Sequence, residues 1–428
     1  MRARLPRKEQ GRWKVDSHRY HFLERLRAAV AGRRAELLPI RWGRMVASPL
    51  AFYRGAAALM AGDLGALPTC GLDVQVCGDA HVLNLGAYAA PDGHLVFDLN
   101  DFDEACRGPF EWDLKRLAAS VVVAGRVAGR GDRACTNAVH AMVRSYRDAA
   151  DRLSELPIVE LARLEITPRA RRGSPLAPVF QQAARNTTEQ LLRKFTTRDV
   201  GGLARFRNDP PLLRRLGGAE ARRVVRSLSR YRDTLGAGRL QVLDGYRPWD
   251  VAFKVVGTGS VGVDVFVVLL YGNGPRDPLL LQVKEQDASC WTPTLPGQTV
   301  TSGVDDGRRS AEAQLRTQTV TDPFLGWTQI GEKGFVVRQW SDHKGAVKIA
   351  ELSSETLQDY SALCGEILAK AHVRTGGGAM LAGYCGRGEQ LDDAMARFAS
   401  AYGDQTEVDH RLLRKAIGQK HLEAVEGA

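Results

Sequence analysis

The chain has 428 residues, 44% hydrophobic and 25% charged, with a formal net charge of +11. That length suffices for two lobes with sizeable cores, and the balance excludes fibrous and disorder-dominated classes. The longest apolar run beside a helix, 117–125, stops at Arg126, well short of the roughly 20 residues that span a bilayer, so no membrane insertion is expected.

The first ten residues carry basic side chains but no apolar segment and no small-residue cleavage site, so a cytoplasmic protein is expected. Seven cysteines, at 70, 77, 106, 135, 290, 364 and 385, form no C-x-x-C pair and leave an odd one over. That argues against both zinc and a disulfide framework. The basic excess suits an anionic substrate, nucleic acid or a membrane surface. Because the basic residues interleave with helix formers rather than with stacking aromatics, nucleic acid is a minor alternative.

Residues 1 to about 70 read as largely helical, with Phe22, Leu23, Leu26 and Ala29 at helical intervals. They lead into Cys77-Gly78-Asp79-Ala80-His81-Val82-Leu83-Asn84. An Asp placed to take a hydroxyl proton and an Asn placed to bind a metal, five residues apart, fit one tight loop facing nucleotide phosphates. Asp79 and Asn84 have that spacing. After a short strand at 95–97 come Asp98, Asp101, Asp103 and Glu104, four acids in seven positions that repel unless a cation compensates them. Mg²⁺ takes one or two carboxylates plus substrate phosphates. Asp101 is the first choice beside Asn84, with Asp98 and Asp103 as rivals. The same residue types also cap helices and fill turns.

Helical patterns follow at Trp112 to Ala128, Ala134 to Leu153 and Val179 to Lys194, with a surface loop at Pro168 to Pro178. Pro210-Pro211 breaks the chain before a basic helical segment that ends near 233. Ala252 to Val256 then reads as a strand running into Gly257-Thr258-Gly259-Ser260-Val261-Gly262. In a dinucleotide-binding unit such a loop opens a helix, whereas here Val263 to Leu270 is a β-branched, aromatic run of strand character. Strand, glycine loop, strand is the pattern of a hairpin whose N–H groups can approach ATP phosphates. After the Asn273-Gly274 turn, Leu279 to Lys284 forms a third strand ending in a lysine, where a phosphate anchor belongs. The plainer reading is an ordinary hairpin and an exposed strand-end lysine. A last strand is expected at Phe335 to Trp340, and from Ser354 onward Leu357, Tyr360, Cys364, Ile367 and Leu368 return to a buried helical stripe.

Gly78-Asp79-Ala80-His81-x-x-Asn84 and the Asp101-Phe102-Asp103-Glu104 to Trp112-Asp113-Leu114 segment resemble the catalytic and metal-binding segments of aminoglycoside phosphotransferases and choline-kinase-like enzymes. Over nearly its whole length the chain resembles a bacterial family known as domain of unknown function 2252, through Phe52-Tyr53-Arg54-Gly55, Trp112 to Leu117, Val256 to Gly262 and Asp322 to Trp327. The kinase resemblance implies Asp79 as catalytic base, Asn84 and Asp101 as Mg²⁺ ligands and Lys284 as partner of the α/β-phosphates. It also implies His81 as part of the catalytic loop, Asp113 as its brace and a helical glutamate as partner of Lys284, for which the stretch Arg308 to Val320 offers Glu312, Gln314 and Gln318, with Glu312 named first. Because the catalytic loop precedes the glycine loop here, the implied fold is α+β, a protein-kinase-like two-lobed architecture with circularly permuted lobes.

The expected organisation is a helical large lobe over 1–239, a β-rich nucleotide-binding lobe over 240–341 and a helical tail over 342–428 rejoining the large lobe. The expected activity is ATP- and Mg²⁺-dependent transfer to an unidentified hydroxyl acceptor, with Gly257, Thr258, Gly259, Ser260, Gly262 and Lys284 positioning ATP. Two alternatives stand beside it. A pseudokinase would hold nucleotide without chemistry, and a metal-dependent hydrolase would use His81 and the aspartates directly on water.

Overall fold

The structure, a computed structural model, describes residues 5–15, 21–165, 176–198, 202–295, 303, 305–340 and 345–425. The loop expected at Pro168 to Pro178 lies outside them except for its last three residues. The architecture is α+β, with a helical body on one core and an antiparallel sheet on another.

At the centre of the helical body runs the helix Phe110–Val127, buried on every side from Phe110 to Gly125. Its middle is apolar all round, as a helix surrounded by other elements must be. Its first turns bury Glu111, Asp113, Lys115 and Arg116; the first, second and fourth are hydrogen-bonded, and the Lys115 ammonium lies over the Phe398 ring. Asp132–Ser154 and Ser354–Thr375 share its core, the latter through the expected stripe of Leu357, Tyr360, Cys364, Ile367 and Leu368. The long helix Gln390–Gly418 adds Met395, Phe398 and Tyr402 to the same core. Its far end holds Leu413 and Ala416 against Phe22, Trp42 and Phe52 of the N-terminal helices.

Two small ribbons cross this body. The strand β1 (Asp73–Val76) pairs with β4 (Cys106–Pro109), and β2 (Leu85–Ala89) pairs with β3 (Leu95–Leu99), both antiparallel. A further hairpin joins β5 (Thr196–Arg198) to β6 (Ala204–Phe206).

The main sheet contains β7 (Leu213–Arg215), β8 (Arg247–Lys254), β9 (Val265–Tyr271), β10 (Pro278–Gln286), β11 (Gly326–Ile330) and β12 (Lys333–Gln339). Their spatial order is β11-β12-β10-β9-β8-β7, with every pair antiparallel. Both faces are covered, which is why β9 is an unbroken apolar run. Phe266, Val268 and Leu270 meet Val224, Leu228 and Tyr231 of the helix Gly218–Arg232, while Val267 and Leu269 meet Phe206. The sheet core therefore draws on residues well upstream of 240, including Leu37 and Ile40. In β10 the two-residue period puts Leu279, Leu281 and Val283 into that core and Lys284 on the opposite face.

Candidate active site

Two loops carry the candidate site, and the ribbons set their positions. Residues 77–84 join β1 to β2, and residues 100–105 join β3 to β4. Val76 pairs with Cys106 and Leu85 with Leu99, so both loops are pinned at both ends and lie side by side. Gly78 has φ +77°, and a Cβ there would collide with the Glu104 carbonyl, so this approach requires glycine. Asp113 accepts from the N–H groups of Cys77 (2.7 Å) and Gly78 (3.0 Å). Trp291 donates its indole N–H to the Gly78 carbonyl (2.7 Å) and stacks on Trp112 with centroids 4.4 Å apart.

Arg116 follows Asp113 at i+3, so one helix face serves the same loop twice. Its Nε donates to Asp79 Oδ1 (2.6 Å), and Nη2 lies against the same oxygen. Burial pushes the Asp79 carboxyl up to about 7, against the pull of Arg116 and helped by the nearby Glu104 and Asp101. His81 Nδ1 accepts from the Leu83 N–H (3.1 Å), so its proton sits on Nε2, 3.8 Å from Asp79 Oδ2. Burial, with Arg54 and Arg116 nearby, holds the His81 pKa well below its ordinary value, and the ring is neutral. The Asn84 amide donates to the backbone carbonyls of Asp79 (3.1 Å) and Asp101 (3.0 Å), tying the loops together. Its Oδ1 is buried without a partner.

Lys284 meets the second loop. Its ammonium bonds to Asp103 Oδ2 and stands 3.7 Å from Asp101 Oδ1, while Ser260 Oγ donates to the same Asp103 oxygen (3.3 Å). The glycine loop has positive φ at Gly257 and Gly262, and its carbonyls face a row of arginines. Arg44 donates to Val256 and Gly257, Arg41 to Thr258 (2.9 Å) and Gly259 (2.7 Å), and Arg33 to Gly259 (2.5 Å) and Val261 (3.1 Å). The Arg34 backbone N–H donates to the Gly262 carbonyl (2.8 Å). Among the described residues, the N–H groups of Gly257, Thr258, Gly259 and Ser260 donate to no backbone carbonyl.

These parts enclose a cleft of about 470 Å³ lined by Asp79, Asp101, Asp103, Glu104, Gly259 and Ser260, among others. It thus gathers residues that lie some 180 positions apart in the chain. Asp98 and Glu312 are not brought there. Asp98 is buried against Lys370 Nζ at 2.5 Å, and Glu312 bonds to Arg308 (2.6 Å) and Arg316 (2.8 Å) on its own helix. The residue of that helix that does reach the site is Arg309, which donates to the backbone carbonyls of Asp103 (2.8 Å), Ala105 (2.6 Å) and Asp287 (2.7 Å).

Among the described residues no three His, Cys, Asp or Glu side chains gather as a metal group. A magnesium site would need fewer, since one or two carboxylates, an amide oxygen and phosphate oxygens suffice. The unpartnered Asn84 Oδ1 and the carboxylates of Asp101 and Asp103, which already face the Lys284 ammonium, fit that donor set.

The sequence gives no sign that Arg33, Arg41, Arg44 and Arg309 belong to the site, and it gives Arg116 a supporting place rather than a catalytic one. Four of these act on backbone carbonyls, for which a sequence carries no signature. Arg116 had one usable signal, its place three residues beyond Asp113.

The family model described as an uncharacterized protein conserved in bacteria, DUF2252, matches residues 33–416, and the chain belongs to that family. No curated protein and no solved structure matches it.

Proposed function

We propose that this member of the DUF2252 family is an ATP- and Mg²⁺-dependent phosphotransferase acting on a hydroxyl acceptor, with a kinase-like site assembled in permuted chain order. The observation that carries this reading is the meeting of Lys284 with Asp103 and Asp101 beside Ser260 of the glycine loop, where Asp101, Asp103 and Ser260 line the same cleft as Asp79. A lysine on the third strand, a glycine hairpin and an Asp/Asn loop are parts that position a nucleoside triphosphate for phosphoryl transfer. The permuted order follows from the catalytic loop at 77–84 preceding a sheet that spans 213–339.

In this reading Lys284 is a cation waiting for phosphate. Nucleotide phosphates draw its ammonium away from Asp101 and Asp103, and the N–H groups of the glycine loop supply further donors. The freed Asp101 or Asp103, with Asn84 Oδ1, would hold Mg²⁺, which supplies charge neutralisation on the phosphate oxygens. Asp79 accepts the proton of the acceptor hydroxyl as its oxygen bonds to the γ-phosphorus and the bond to the β,γ-bridging oxygen breaks, releasing ADP. Neutral His81 and buried Arg116 hold Asp79 in place.

A second reading, nucleotide binding without transfer, is favoured by one observation, the engagement of Asp79 by Arg116. Titration with a non-hydrolysable ATP analogue followed by an acceptor screen separates the two: turnover abolished by Asp79→Ala supports transfer, and tight binding with no turnover supports the module. Among the described residues no helix is long and apolar enough to cross a membrane.

A further inference from the structure

We infer that Arg33, Arg41 and Arg54 form an oxyanion subsite in the same cleft, one that takes a phosphate or carboxylate group. All three side chains line the cleft, and all three have a buried Nε–H without a hydrogen-bond partner. Buried guanidinium donors are almost always paired, because an unmade bond leaves the desolvation of a charged group uncompensated. Three guanidinium groups around one cavity, each with a donor that no protein group takes up, leave positive charge there for an anion to answer.

The remaining donors explain why the arginines are there at all. Arg41 is 4% exposed and spends its Nη atoms on Thr258, Gly259 and Gly55 carbonyls. Arg33 spends Nη1 on Gly259 and Val261, and Nη2 faces Asp287 at 3.2 Å. Burial, and after it the like charge of Arg33, pushes the Arg41 pKa down to about 9. Arg54 has no ion pair among the described residues. The acids of the cleft do not answer it, since each has its own partner. Asp79 is bonded to Arg116, Asp103 to Lys284, Glu104 to the Cys290 N–H, Glu285 to Lys333 and Asp287 to Arg33, and Asp101 stands near Lys284. Guanidinium groups match the geometry of phosphate and carboxylate oxygens, and planar forks are the usual choice where such groups are recognised.

The anion has two possible sources, the nucleotide's own phosphates or an acidic group on the acceptor, and only this choice rests on the proposed phosphotransferase reading. The probe is inorganic phosphate, with pyrophosphate beside it, titrated calorimetrically into the full chain in magnesium-free chloride buffer. Wild type should bind, and Arg54→Gln should bind at least tenfold more weakly while keeping its melting temperature. Arg54→Lys should recover part of the affinity. Repeating the titration with Mg²⁺ and a saturating non-hydrolysable ATP analogue identifies the source. Displacement of phosphate assigns the subsite to the nucleotide, and undiminished binding assigns it to an anionic acceptor. Absence of phosphate and pyrophosphate binding to wild type, or equal binding by Arg54→Gln, overturns the inference. Phosphate binding without any binding of the ATP analogue would leave the subsite standing and remove the phosphotransferase reading.

Discussion

Lys284 and Asp103 lie 181 residues apart in the chain and bond directly to one another. The sheet period sets the lysine on the face opposite the sheet core, and the β3–β4 connection brings the carboxylate to meet it. A 4% exposed ammonium needs a counter-charge, and Asp103 with Asp101 supplies it. The pair thus joins the sheet to the helical body at the point where the proposed chemistry occurs.

Lys370→Ala should destabilise the protein by about 3–5 kcal/mol, because it strands the buried Asp98 carboxylate. The double variant Lys370→Met with Asp98→Leu should recover most of that loss. Urea unfolding measures both, and a single variant as stable as wild type would show that the pair is not a structural brace.

Asp113→Ala should cost about 1–3 kcal/mol by leaving the Cys77 and Gly78 N–H groups unpaired in the interior. It should also lower the rate of transfer more than the affinity for nucleotide, since those N–H groups position Asp79. Denaturation together with separate kcat and KM values tests this, and an unchanged kcat would contradict it.

The pH dependence follows from Asp79. Its carboxyl is pushed up to about 7, chiefly by burial. A base acts only when ionised, so kcat/KM should fall tenfold per unit as pH drops below about 7 and level off above it. With His81 neutral, the imidazole adds no second ionisation near neutrality. A profile flat from pH 5.5 to 8 would remove Asp79 from the role of base.

Much of the fold was legible because its signals were local. Val265 to Leu270 reads as a strand since a sheet covered on both faces needs an unbroken apolar run, and the glycine loop follows from the strand ends beside it, whereas β10 runs two residues past Lys284 to Gln286. The strand Gly326–Ile330 was missed because its five residues, Gly-Trp-Thr-Gln-Ile, carry little alternation of apolar and polar groups. Within the acidic cluster nothing local separates Asp98 from Asp101 and Asp103. The difference is made by Lys370, 272 residues away from Asp98. Glu312 was chosen from its helix by charge, yet that side chain spends itself on Arg308 and Arg316, and Arg309 contacts the second loop instead. The arginines that hold the glycine loop were invisible for the same reason of distance, since Arg41 reaches Thr258 across 217 residues.

The most direct test of the proposed site is calorimetric titration with a non-hydrolysable ATP analogue, with and without Mg²⁺, in wild type and Lys284→Ala. The site described here predicts Mg²⁺-dependent binding by wild type and at least a tenfold loss in the variant. No binding by wild type, or equal binding by both, would contradict it.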